Sequence, residues 1–212
     1  MCSGRVDLRF VLRAFLDGHD GVFIGGCRLN ECNYVTHGNY DALAVVHVAR
    51  FLLEHMGLNP ERLNITFMSG GDGNILAEAI DGFTKKVRGL GPLGTAEGMD
   101  RATLKTRLEA AERIVPYLRL VERERLRAPS KTKEEFERFY KSDEIVRLFK
   151  EIIAEKWELS RIMLLLGQGP LSTGEISSKL SLSPSDVSKH MNSSSRHGLI
   201  KYDVARKCYS LA

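Results

Sequence analysis

Two short apolar runs, DGVFIGG at residues 20–26 and RLNITFMS at 62–69, flank one long helical pattern, NYDALAVVHVARFLLEHMGL at 39–58. Strand, helix, strand in that order constrains the fold more than any other feature of the chain. Strands joined by a long helix pair in parallel through a right-handed crossover. Both runs are bounded by turn residues and rich in β-branched or aromatic side chains, as buried parallel strands are. Helical spacing in FVLRAFLDG (10–18) and GGDGNILAEAIDGFTKKV (70–87), with Gly18 and Gly57 as helix stops, predicts a sheet covered on both faces. In such sheets functional groups gather beyond the carboxyl ends of the strands. Cys27 sits at one such end, and Ser69 and Asp72 at the other. The pattern opens on a helix with no strand before it, which leaves one sheet position unaccounted for.

Beyond residue 88 the character changes. GLGPLGTAEG (89–98) reads as a linker; no Gly-Lys-Ser/Thr follows its glycines, so it is not a phosphate loop. Residues 100–127 are charged and helical, interrupted by Pro116, and a second helical stretch runs over 133–166; both read as solvated spacer. The last stretch reads as helix, turn, helix and two short strands. Ser172 or Thr173 caps a helix through Lys179, Pro184 opens the next, Gly198 stops it, and LIKYDVARKCYSL forms a hairpin wing. The expected fold class is α/β: a small parallel-sheet, three-layer domain over 1–95, a helical linker over 96–142, and a winged helix-turn-helix domain over 143–212.

Charge decides little, since a formal +4 does not single out a nucleic-acid partner. MCSGRVDLRF lacks the apolar core of a secretory leader, and His47 and Arg50 interrupt the most apolar helix, so a cytoplasmic chain without a membrane span is expected. In a reducing compartment, four cysteines point to metal or redox chemistry before structural disulfides. Cys27 and Cys32 lie in a Gly/Asn-rich turn after a buried strand, where backbone N–H groups can approach thiolate sulfur, an environment suited to iron–sulfur chemistry. Zinc stays open, though it usually shows a second Cys-x-x-Cys or a histidine pair. His37 is near, but reads as a loop hydrogen-bonder. A catalytic thiol is the third option, with Arg28 placed to lower the pKa of Cys27. Cys208, inside the wing, reads as a small hydrophobe.

CSGRVD at 2–7, DGVFIGGCRLNECNY with GNYDAL over 20–43, and GLNPERLNITFMSGGDG at 57–73 resemble the delta (iron–sulfur) subunit of methyl-viologen-reducing hydrogenase. The resemblance implies an α/β domain that carries a [2Fe-2S] cluster. It also implies an electron-transfer subunit, not catalytic alone, between a hydrogenase or formate dehydrogenase and the flavin-containing A-type polypeptide of heterodisulfide reductase in an anaerobe. Cys2, Cys27 and Cys32 fall on cysteines of the family pattern and are the implied iron ligands. The family loop commonly reads Gly-Cys-His-Pro-Gly-Asp-Cys-His-Tyr, whereas this chain has Arg28, Leu29, Asn30 and Asn33, with both cysteines and Tyr34 kept. The family's opening strand and Cys-x-x-Cys-like segment are absent here, so the expectation is that Met1 is an internal methionine and that the fourth ligand lies in a lost upstream segment; for a complete chain the expectation is weak or absent cluster binding.

Winged helices usually read DNA with their second helix. Here that helix offers Lys189, His190, Asn192 and Arg196, and the wing adds Lys201, Arg206 and Lys207. From residue 168 onward six Lys/Arg face three acids, and the serines at 193–195 make few strong base contacts. These residues are candidate DNA or docking contacts, with docking preferred. The competing function is a redox-responsive transcription regulator that senses through its thiols.

Overall fold

The computed structural model describes residues 2–34, 38–128 and 132–212. Two compact units divide between Ala154 and Glu155.

In the first unit, a 3-10 turn at Ser3–Arg5 leads into α1 (Leu8–Leu16), capped by Asp7, whose carboxylate accepts from the Arg9 N–H at 2.8 Å. Leu8, Val11, Leu12 and Phe15 recur at helical spacing and are buried. β1 (Val22–Cys27) and β2 (Leu63–Met68) pair in parallel, with Ile24 opposite Ile65 and Cys27 opposite Met68. The crossover between them is α2 (Asn39–His55), ten of whose residues are buried. α3 (Gly73–Leu90) follows β2 and lies on the opposite face, where the Phe23 and Phe83 rings meet at 5.8 Å. The predicted parallel α/β/α arrangement is present, with two strands in the sheet among the described residues. α3 is the loosely covered layer: none of its residues is buried, and Ile75, Leu76 and Ile80 are exposed.

The spacer reading of the middle segment does not hold. α4 (Arg101–Arg125) packs on α1 and buries Leu108, Ala111, Val115 and Leu118, a stripe at three- and four-residue steps that charged neighbours mask in the sequence. Pro116 lies inside α4 without interrupting it. α5 (Lys133–Tyr140), α6 (Asp143–Leu148) and a π-helical turn at Phe149–Ala154 complete the unit. A serine cap at Ser142 breaks what the sequence suggests is one long helix. Nor is 89–98 a free tether. Arg62, fully buried, donates to Glu97 at 2.6 Å and to the Asp20 and Gly91 carbonyls at 3.0 and 2.9 Å. Glu97 also accepts from the Asn59 and Gly94 N–H groups. A buried guanidinium needs a countercharge, and Glu97 supplies it. Segment 96–142 thus packs within the first unit, and the second begins at Glu155 rather than at 143.

The second unit runs α7 (Glu155–Leu166), α8 (Thr173–Leu180), α9 (Pro184–Arg196) and the antiparallel wing β3 (Ile200–Asp203) with β4 (Cys208–Leu211). Its core is Ile162, Leu166, Ile176, Leu180, Val187, Met191 and Ile200. Local chemistry sets each boundary: Ser172 and Glu175 form a capping box, Ser181 takes the left-handed conformation (φ 54°), and Pro184 fills the first turn of α9. The predicted helix-turn-helix and hairpin wing are both present. Among the described residues no helix is long and apolar enough to cross a membrane.

Candidate functional site

Three of the four cysteines lie in the first unit. Cys27 ends β1, Cys2 precedes the 3-10 turn and Cys32 follows the β1 loop. The Cys2 and Cys32 sulfurs, thirty positions apart in sequence, are 3.5 Å from each other. Close backbone approach brings them together. A Cβ on Gly4 would sit 2.4 Å from the Gly38 carbonyl oxygen, and one on Gly38 would sit 2.5 Å from the Cys32 sulfur. Only residues without side chains let the Ser3–Arg5 turn, the Cys32 loop and the start of α2 meet so closely. The Gly4 N–H points at the Cys2 sulfur at 3.4 Å.

Asn39, 2% exposed at the start of α2, holds the loop from the other side. Its Nδ2 donates to the Cys27 carbonyl at 2.8 Å and the Arg28 carbonyl at 2.6 Å, and lies 3.8 Å from the Cys27 sulfur. Tyr40 donates to the Asn30 side chain at 3.0 Å, and Asn30 has φ 69°, a conformation asparagine tolerates better than most residues. Sequence reasoning overlooks Asn39, although it stands inside the GNYDAL block, because a lone asparagine at a helix start reads as an ordinary cap.

The thiols differ. Burial pushes the Cys27 thiol up, and neighbouring Cys32 and Cys2 push the same way. The Tyr34 backbone N–H holds Cys32 below the ordinary thiol value, outweighing its partial burial, with the Asn39 N–H and the other two thiols assisting. Arg28 does not activate Cys27 as the sequence suggests. Its guanidinium instead pairs with Asp72 at 2.6 Å, and Asp72 also accepts from the Ser69 N–H at 2.8 Å. This bridge ties the carboxyl ends of the two strands together. His37 lies outside the described residues.

A [2Fe-2S] cluster takes four protein ligands. The first unit supplies three thiols, and among the described residues no group of three or more His, Cys, Asp or Glu is arranged to hold a metal ion. The described residues therefore do not fit the cluster. Cys208, half-buried in β4, belongs to the second unit.

The candidate contacts of the second unit divide. His190 is 8% exposed, with Nε2 3.3 Å from the Glu158 carboxylate, so it faces inward from α9 and is no surface contact. Lys189 is on the surface but bonded to Glu155 at 2.5 Å. Asn192, Arg196, Lys201, Arg206 and Lys207 are exposed. Beside them stand Leu199, Tyr202, Val204 and Leu211, all at least 40% exposed.

Comparison with known proteins fits both units. The arsR family of bacterial regulatory proteins matches residues 160–202. The family of the methyl-viologen-reducing hydrogenase delta subunit matches residues 1–91. The vhu-type iron-sulfur subunit of the F420-non-reducing hydrogenase of Methanopyrus kandleri is 36% identical over 92 residues, 43% of this chain and 69% of that protein. The iron-sulfur subunit of the F420-non-reducing hydrogenase of Archaeoglobus profundus is 42% identical over 91 residues, 43% of this chain and 66% of that one. The A-type polypeptide of the ferredoxin/F420H2-dependent CoB-CoM heterodisulfide reductase of Methanosarcina acetivorans is 39% identical over 95 residues, 45% of this chain but only 12% of that much longer protein. By these matches over its first unit, the chain belongs to the methyl-viologen-reducing hydrogenase delta-subunit family.

Proposed function

We infer that the chain is an electron-transfer subunit working between a hydrogenase or formate dehydrogenase and a heterodisulfide reductase-type flavoprotein in the cytoplasm. One observation carries this reading: the family's sequence recurs both in separate hydrogenase iron-sulfur subunits and inside a heterodisulfide reductase polypeptide. A module joined to the reductase in one chain, and separate in another, suits a link between the two enzymes. Tyr34 on the cysteine loop and Ile75, Leu76 and Ile80 on α3 are exposed apolar side chains that such a partner would cover. The chain has no independent catalytic role in this reading, and Cys2, Cys27 and Cys32 are its contribution to an iron site completed by a ligand from elsewhere. Anaerobic affinity purification from a native host tests it. Recovery of heterodisulfide reductase and hydrogenase or formate dehydrogenase subunits in fixed ratio, with iron and sulfide, is expected. A chain that purifies without any of them refutes it.

The arsR-type match favours a second reading, a redox-responsive regulator whose second unit binds DNA. A gel shift with genomic fragments separates the two, because binding to a specific fragment that changes on thiol oxidation is expected only of the regulator.

A further inference from the structure

We propose that Cys2 and Cys32 form a dithiol–disulfide pair that reacts with small-molecule disulfides. Three thiols are one short of a [2Fe-2S] ligand set, but a disulfide needs only two. The sulfurs of this pair already touch at 3.5 Å. A disulfide bond is about 2.05 Å long, so closure calls for an approach of roughly 1.5 Å. Both residues are half-buried and within reach of a small reagent, and both are free thiols. The glycine contacts at Gly4 and Gly38 hold the two backbone segments together, so the partners stay adjacent in the reduced chain.

The thiols divide the work. Cys32 stands on the loop after β1 between the exposed Glu31 and Asn33 and meets the reagent first. Its thiolate attacks one sulfur of a disulfide R–S–S–R, forming the Cys32–S–S–R mixed disulfide and releasing RS⁻, which takes up a proton. Cys2 then loses its proton and attacks the Cys32 sulfur, forming the Cys2–Cys32 bond and expelling a second RS⁻. Two thiols become one disulfide, R–S–S–R becomes two RSH, and two electrons pass from the protein to the reagent. Cys27, held at the strand end by Asn39, is the spectator.

The proposal goes beyond the electron-transfer reading and fails separately from it, because it concerns the metal-free chain. The full-length protein is reduced, stripped with EDTA, treated with excess oxidised glutathione and alkylated. Its intact mass, measured before alkylation, is expected to fall by about 2 Da, two hydrogens. The peptide map is expected to join the Cys2 and Cys32 peptides and to leave Cys27 and Cys208 alkylated. Cys2→Ser and Cys2→Ala, each checked for folding by circular dichroism, are expected to stop at glutathionylated Cys32, and Cys208→Ser to match the parent. A Cys27–Cys32 bond, a glutathione adduct persisting on Cys32 of the parent, or four alkylated cysteines overturns the proposal.

Discussion

Gly38→Ala tests the close approach that gathers the thiols. The new Cβ would lie 2.5 Å from both the Cys32 sulfur and the Tyr34 carbonyl oxygen, and 3.3 Å from the Cys32 Cβ. Ordinary contact for such atoms is about 3.5–4.0 Å, so the sulfur or the helix start must yield by roughly 1 Å. Moved away from Cys2 by that much, the Cys32 sulfur would leave its 3.5 Å contact for a separation of about 4.5 Å. Overpacking of this kind costs about 1–3 kcal/mol. Gly25→Ala is the control: Gly25 lies in β1, and a Cβ there meets nothing within 4 Å. Urea unfolding and the rate of Cys2–Cys32 disulfide formation with oxidised glutathione are the two readouts. Gly38→Ala is expected to lower stability and slow ring closure at least tenfold, with Gly25→Ala close to the parent in both. Equal closure rates in Gly38→Ala and the parent would refute the claim that glycine contacts set the thiol geometry.

Arg62→Ala removes a fully buried cation and leaves Glu97 unpaired, and is expected to cost about 3–5 kcal/mol by chemical denaturation. Asn39→Ala deletes both bonds to the β1 loop; a loss of about 1–3 kcal/mol and faster alkylation of Cys27 are expected. The pH dependence of the first unit rests on two half-buried or buried groups with opposite signs. Burial, helped by Asp41, raises Glu122 from 4.5 to about 7, so its contribution is fully present below pH 4.5 and lost as pH rises through 7. Burial, then Arg50, lowers His47 from 6.5 to about 4, so its contribution is present above pH 6.5 and lost as pH falls through 4. Each shift corresponds to about 3 kcal/mol, and the opposed slopes nearly cancel where the two ranges overlap, between about pH 4.5 and 6.5. Glu122→Gln is expected to expose the His47 slope, with stability rising by about 3 kcal/mol from pH 4 to 7 in urea titrations; a flat profile in that variant would show that His47 is not held neutral.

Elements with a strong period were legible in the sequence, and close-range polar contacts were not. Alternating apolar runs and glycine stops foretold β1, α2 and β2, and Ser172, Pro184 and Gly198 foretold the boundaries in the second unit. The burial of α4 was present in the spacing of Leu108, Ala111, Val115 and Leu118 but hidden by its charge density. His190 could have been placed inward from sequence too, since Val187, His190, Met191 and Ser194 make one helical stripe and all are buried. No such signal marks Arg62, which stands in a proline turn that looks solvated, or its partner Glu97 thirty-five positions on. Both belong to non-local pairs, and a periodic pattern carries no information about distant partners. The cysteines lie between these cases: their residue types and loop announced soft-ligand or redox chemistry, but the Cys2–Cys32 contact depends on Gly4 meeting Gly38.

The surface of the second unit weighs on how the fusion is used. Phosphate binding draws its strength from released counterions, at a slope of about −0.9 in log affinity against log salt for each neutralised phosphate. Of the cationic candidates, Lys189 is engaged by Glu155 and Arg206 lies 3.9 Å from Asp203, leaving Arg196, Lys201 and Lys207 least encumbered. Three contacts give a slope of only about −2.7, shallow for a specific complex of one module. Val204, 77% exposed at the wing tip, and Leu199, 50% exposed just before β3, would instead remain in water on a phosphate backbone. Apolar side chains exposed on the wing and just before it suit a protein partner, whose binding buries them and depends little on salt. Val204→Asp is therefore expected to weaken capture of the electron-transfer partners at least tenfold at any ionic strength. The regulator reading predicts the reverse pattern: a DNA complex weakened more by Arg196→Ala than by Val204→Asp, with a salt slope steeper than about −3. Measurement of both variants at two salt concentrations decides between a docking wing and a reading one.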